Sequence, residues 1–295
     1  DVTLFLTTPG YLISFLKRPG GLLEYAGSFF AQLFRFRVPG ALLIALLVTT
    51  SFCLSIRLLR QRVKNMELLA AGVISAALLM AMHNYYPHRI HHSMGLLLSI
   101  FLANRVPDRR KRMRIYMIVA VPFLYLTCGG FVWFFLMTWL IRMVASGGKF
   151  RSDWLIWGIL YPAIVVMVSG RFLYLQPIRL LLLNPLPLGP EYGGATWSLC
   201  FMGWTLFLPV LARLPTRSGR TGRWRVIAVS AITLAGSVLV ISFSYNRKHA
   251  EFFMIEMYAV HEEWEELLQY ADEHPSSNLF GTFYTNLALY HQDRL

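Results

Sequence analysis

The densest run of chemically capable side chains is His83-Asn84-Tyr85-Tyr86-Pro87-His88-Arg89-Ile90-His91-His92. Its four imidazoles and one guanidinium could hold an anionic or sugar-like ligand through hydrogen bonds and charge. If the run winds into a following helix, His88 and His92 lie four apart on one face, a spacing that suits a pair of metal ligands. No carboxylate in the run completes such a site, and the strong zinc spacings are missing. No metal is therefore assigned, and no cofactor is named. The plainer explanation is an interfacial belt in which Tyr and His rest at headgroup level.

The acidic candidates are Asp1, Glu24 and Glu191, the last within Gly189-Pro190-Glu191-Tyr192-Gly193-Gly194. Sugar transfer from a lipid-phosphate donor needs a carboxylate base for the acceptor hydroxyl. It also needs cations, or a carboxylate-bound metal, against the leaving phosphate. Asp1 and Glu24 suit the base role if the protein is a transferase, and Arg89, Arg171 and Arg179 suit the cations. The ligand would then be lined by His83, His88, Arg89, His91, His92, Arg171 and Glu191. The competing explanation is that these charges mark helix ends at the water surface, and that Arg171, Gln176 and Arg179 snorkel to the headgroups.

Positioning such groups requires helices in lipid. Of 295 residues, 56% are apolar and only 15% charged, against about 25% charged in soluble domains. Apolar runs recur near the ~20 residues that cross a bilayer as a helix. The expected crossings are Val38 to Ile56, Leu68 to Met82, Tyr86 to Ala103, Trp154 to Ser169, Ala195 to Ala212 and Val226 to Ser244, plus the stretch from Ile115 to Ile141. That last stretch holds 27 uncharged residues, one strongly tilted helix or two short ones joined at Cys128-Gly129-Gly130.

Charge decides between the two. Eighteen of the 28 Lys and Arg fall in four clusters, Arg57 to Lys64, Arg105 to Arg114, Arg142 to Arg151 and Arg213 to Arg225. Two helices between Ile115 and Ile141 put all four clusters on the cytoplasmic side, as the positive-inside rule asks. The expected fold is thus all-α, a polytopic transmembrane bundle of about eight crossings in the cytoplasmic (inner) membrane. Both ends of the chain then face outside the cytoplasm. The clusters set topology and touch anionic lipid headgroups. The net charge of +13 gives no reason to invoke nucleic acid. Cys53, Cys128 and Cys200 lie in separate apolar runs and suit neither a disulfide nor a metal framework.

Residues 1–37 read as an interfacial segment of two short amphipathic helices broken at Pro19-Gly20-Gly21. Residues 38–246 form the membrane domain. Within it, Phe172 to Leu183 should dip into the membrane or lie on it, followed by a rigid link from Asn184 to Pro190. Residues 247–295 form a helical hairpin in water that holds nine of the 15 acids. Apolar residues recur at helical spacing from Phe252 to Tyr270 and from Phe280 to Tyr290. Trp264, Leu268, Asn286-Leu287-Ala288 and Tyr290 make the hairpin resemble one tetratricopeptide repeat, which cannot bury its own apolar face. The chain is accordingly expected to be part of a longer protein, with a helix before Asp1 and more repeats after Leu295.

Leu4-Phe5-Leu6, Arg18-Pro19-Gly20-Gly21-Leu22-Leu23-Glu24-Tyr25, Phe29-Phe30-Ala31-Gln32-Leu33-Phe34 and Pro39-Gly40-Ala41-Leu42 carry a wider resemblance. So do Glu263-Trp264-Glu265 and Thr282-Phe283-Tyr284-Thr285-Asn286-Leu287-Ala288-Leu289. Over nearly its whole length the chain resembles an uncharacterised group of Bacteroidetes polytopic inner-membrane proteins with a helical-repeat tail. The resemblance implies a location and an architecture, and no catalytic residues. A more distant, purely architectural similarity is to membrane glycosyltransferases of the GT-C type, whose first exterior loop carries an acidic residue. Asp1 corresponds by position, although the first loop holds no Asp-Asp or Asp-Glu pair. Two functions are carried forward: an envelope scaffold that binds a protein partner through its tail, and a transferase acting on a lipid-linked sugar. A transporter ranks below both, since no charged residue lies mid-membrane to couple ions.

Overall fold

The computed structural model describes residues 5–59, 65–85, 88–107, 109–146, 152–188, 195–211, 223–275 and 279–294, and among these the ordered elements are all helical. Helices α1 (Pro9–Leu16) and α2 (Gly21–Ala31) form an N-terminal hairpin, and a 3-10 turn (Gln32–Arg35) leads into α3 (Arg37–Leu59). Four helices follow: α4 (Asn65–His83), α5 (Ile90–Arg105), α6 (Arg110–Cys128) and α7 (Phe131–Ala145). The next leg joins α8 (Ser152–Leu155), a π-turn (Ile156–Leu160), α9 (Tyr161–Ser169) and a second π-turn (Gly170–Tyr174). Short α10 (Ile178–Leu183), then α11 (Ala195–Leu211) and α12 (Arg223–Ser244), complete the bundle.

The uncharged stretch from Ile115 to Ile141 is two helices, as the charge pattern requires. Gly129 makes the turn with φ 62 and ψ −128, a backbone region that only glycine enters freely. Three helical stretches are long and apolar enough to cross a membrane: Arg37–Leu59, Ile156–Tyr174 and Ile227–Ser244. Leu68–His83, Phe131–Ala145 and Ala195–Leu211 are apolar but shorter. On α12, Ile232, Leu234 and Phe243 stand 72, 65 and 81% exposed, which in water would leave a large apolar surface wet.

Proline chemistry explains local departures inside the legs. Pro122 lacks the N–H that would bond the carbonyl of Ile118 in the preceding turn. The Tyr161 hydroxyl donates to that carbonyl at 2.9 Å and ties α9 to α6. Pro162 enters just after the first π-turn, the local rewinding that accommodates such a break. One continuous core runs through the bundle, with Tyr125, Phe131, Phe134, Phe135, Trp139 and Phe201 fully enclosed.

The N-terminal hairpin is packed more deeply than an interfacial segment requires. Gly20 turns the chain at φ 76, and Gly21, Leu23, Glu24 and Gly27 present a buried face to α5 and α6. Phe172 to Leu183 comes back over the bundle end: Tyr125 donates to the Leu181 carbonyl and the Trp133 indole to that of Leu182, both at 2.9 Å.

In the tail, the pattern from Phe252 to Tyr270 is two helices rather than one, α13 (Arg247–Val260) and α14 (Trp264–Glu273), and α15 (Leu279–His291) follows. The break falls at Glu262, whose φ is 59. Ile255, Ala259, Leu267 and Ala288 form the tail's own small core. Trp264 stacks flat on His291 at 4.5 Å.

Candidate functional site

The end of the bundle where α4 finishes and α5 begins gathers most of the candidate side chains. α5 starts at Ile90, with Arg89 extended ahead of it (φ −88, ψ 140). His88 therefore precedes the helix, and the expected helical pairing of His88 with His92 on one face does not form. A tighter arrangement replaces it. The Ser93 hydroxyl sits 2.9 Å from His88 Nε2 and 3.1 Å from His83 Nε2. A hydroxyl has one proton, so it donates to one ring while the other ring donates its Nε2–H. Ring centroids of His88 and His92 are 5.5 Å apart, and those of His91 and His92 4.3 Å apart.

Helix α2 covers this group. A Cβ added at Gly27 would come within 2.5 Å of His91 Cβ, so the close crossing of α2 over α5 depends on glycine. One turn earlier, Leu23 packs beside Gly95. His91, His92 and Ser93 are buried. Among the described residues no group of three His, Cys, Asp or Glu is arranged to hold a metal ion.

Glu24 is the buried carboxylate of the same end, 7% exposed. One oxygen pairs with Arg18, and the other accepts from Asn184 Nδ2 at 3.0 Å. The Asn184 side-chain amide also donates to the Pro19 carbonyl at 2.9 Å, and the Asn184 backbone carbonyl accepts from Gly130 N at 2.7 Å. Burial pushes the Glu24 carboxyl above its ordinary value, opposed by the charge of Arg18, the Asn184 hydrogen bond and the charge of Arg89. The result is a clamp joining the α1–α2 turn, the α6–α7 turn and the segment after α10.

Arg89 is exposed at the rim, within electrostatic reach of Glu24, His91 and His92. Arg171 stands exposed in the second π-turn, and no described hydrogen bond or ion pair joins it to the cluster. Asp1 and Glu191 lie outside the described residues. The geometry thus brings together Glu24, His83, His88, Arg89, His91 and His92. Sequence reasoning missed Arg18, Ser93 and Asn184. The one available signal was the closeness of Arg18 and Glu24 across Pro19-Gly20-Gly21.

No curated protein and no solved structure matches the chain. All of it, residues 1–295, matches the model of a family described as of unknown function, DUF6057. The chain belongs to that family.

Proposed function

We propose that the chain is a multi-pass protein of the cytoplasmic membrane, crossing eight times, which presents its helical tail outside the cytoplasm as an interaction or scaffold component of the envelope. The observation that carries this reading is the outer face of α15. Leu279 and Phe283 stand 80 and 58% exposed on a tail that is otherwise acidic, and a helix pair with such an exposed apolar face suits a tetratricopeptide-like surface for a protein partner. Position supports it. α12 passes into α13 through Tyr245 and Asn246 alone, and Asn84 donates to Ser244 Oγ at 2.7 Å. The tail thus leaves from the histidine end, away from the basic clusters.

A photoreactive residue placed at Phe283 tests the reading in cells. Capture of one envelope protein from that position, and not from the bundle-surface position Phe172, is the expected result. The same pattern from both positions, or none from either, sinks it.

A second reading is favoured by the meeting of Glu24, Arg89 and the histidines at one end: a GT-C-like transferase using a lipid-phosphate-linked sugar. It predicts that Asp1→Ala and Glu24→Ala each abolish envelope glycan formation while crosslinking from Phe283 persists. Silence of both substitutions in the glycan assay removes it.

A further inference from the structure

The tail carries charge opposite in sign to the rest of the chain. Residues 247–295 hold nine acids against three Lys and Arg, whereas residues 1–246 hold 25 Lys and Arg and six acids. Arg247 is taken by Glu251 at 2.8 Å within α13, and Arg37 of α3 faces Glu263 at 3.9 Å. Glu265, Glu266 and Asp272 stand exposed on α14, and among the described residues no ion pair answers them.

The neighbouring helix offers an apolar stripe. Leu279, Phe283 and Tyr290 of α15 are 80, 58 and 65% exposed, with exposed Asn286 among them. Their spacing of i, i+4, i+7 and i+11 sets all four on one side of the helix. The stripe is about 16 Å long at 1.5 Å per residue. Trp264 stacks on His291, so α14 starts where α15 ends and the two run antiparallel. Glu265 and Glu266 therefore lie level with the Tyr290 end of the stripe, and Asp272 and Glu273 with the Leu279 end. Charge narrows what can cover it. A bilayer carrying anionic lipid repels such a surface, and the tail of a second copy would set nine acids against nine.

We propose that this face of α14 and α15 docks a basic amphipathic helix of a partner protein. The apolar side of that helix lies along Leu279, Phe283 and Tyr290, matching their spacing. Its flanking Lys or Arg side chains meet Glu265 and Glu266 at one end and Asp272 and Glu273 at the other. Charge steers the encounter and sets specificity, and apolar contact holds the complex. The inference rests on the scaffold reading above and adds to it the chemistry of the partner.

The test places the full chain in phosphatidylcholine nanodiscs and follows fluorescent helical peptides of about 16 residues by anisotropy, with empty nanodiscs as the blank. The first peptide repeats Leu at i, i+4, i+7 and i+11 with Lys on both flanks. A second carries Glu in place of each Lys, and a third scrambles the order of the first. The Lys peptide should bind at least about tenfold more tightly than either control, and more weakly as salt rises from about 50 to 500 mM. Phe283→Ala, and Glu265→Gln with Glu266→Gln, should each weaken it about fivefold or more, and Phe172→Ala on the bundle should not. No binding, equal binding of the Lys peptide and either control, or indifference to salt overturns the inference. Should a tail variant lose helix, the three peptides on the unaltered chain decide. Self-association of the chain that Phe283→Ala abolishes would give the face to a second copy and also overturn it. If the peptides fail while a photoreactive residue at Phe283 still captures an envelope protein, only the basic helix is lost. Absence of that capture removes the scaffold reading itself.

Discussion

At the histidine end of the bundle, the Glu24 carboxylate is held by Arg18 and Asn184, and two imidazoles share the Ser93 hydroxyl. At the opposite end, seven cations between residues 105 and 146 face one acid. The same helices thus terminate in a cap where Glu24, Asn184, Ser93, His83 and His88 are held by internal hydrogen bonds and in a rim rich in cations. Internal satisfaction makes the cap a fold-determining element, because a buried donor or carboxylate stripped of its partner costs its full desolvation. The rim's cations are mostly exposed. Their removal should cost little stability and alter lipid contacts instead, apart from the half-buried Arg114 and Arg142.

This comparison can be broken most forcefully at Gly129. A side chain there meets the Asn184 carbonyl in a backbone region closed to other residues, so Gly129→Val should cost at least about 3 kcal/mol. Loss of monodisperse protein in detergent is the expected readout, and near-normal yield would refute the cap's interlock. Next, Arg142→Met removes a guanidinium that donates to the Ala103 and Val106 carbonyls at the end of α5 and should cost about 1.5–3 kcal/mol, read as a lower Tm. An unchanged Tm would mean that the rim holds no structural residue.

Asn184→Ala removes the donor to both Glu24 and Pro19 and should cost about 1–2 kcal/mol. Glu24 also sharpens the comparison through pH. Because burial holds its folded pKa above the ordinary value, the stability linked to its protonated form is complete below the ordinary carboxylate range. It is lost as pH rises through the raised value. The Tm of the unaltered chain minus that of Glu24→Gln should therefore fall as pH rises through that window. A flat or rising difference contradicts the buried clamp. The smallest effect belongs to Arg37→Gln. That substitution breaks a largely exposed pair with Glu263 at 3.9 Å and should move stability by no more than about 0.5 kcal/mol.

The bundle was more legible than the cap. Apolar run lengths located the helices, and the spacing of basic clusters divided Ile115 to Ile141 correctly at Gly129-Gly130, because both signals are local. The start of α6 at Arg110 rather than near Ile115 was not legible, since helical hydrogen bonding continues into charged residues that hydropathy assigns to a loop. In the sequence Asn184 stands out only as part of a rigid link. Its partners Glu24 and Pro19 lie 160 and 165 residues away, and no periodicity encodes such a contact. The pairing of Arg18 with Glu24 is set by the left-handed turn at Gly20, a geometry that spacing alone does not reveal. The break at Glu262 had no glycine or proline to announce it.

The most direct test of the two-ended account is accessibility in spheroplasts, with Cys53, Cys128 and Cys200 replaced by alanine. N286C in α15 and S218C in the fourth basic cluster are each treated with a membrane-impermeant maleimide. The account expects N286C to label on intact spheroplasts and S218C only after permeabilisation. The reverse pattern, or equal labelling of both before permeabilisation, would contradict it.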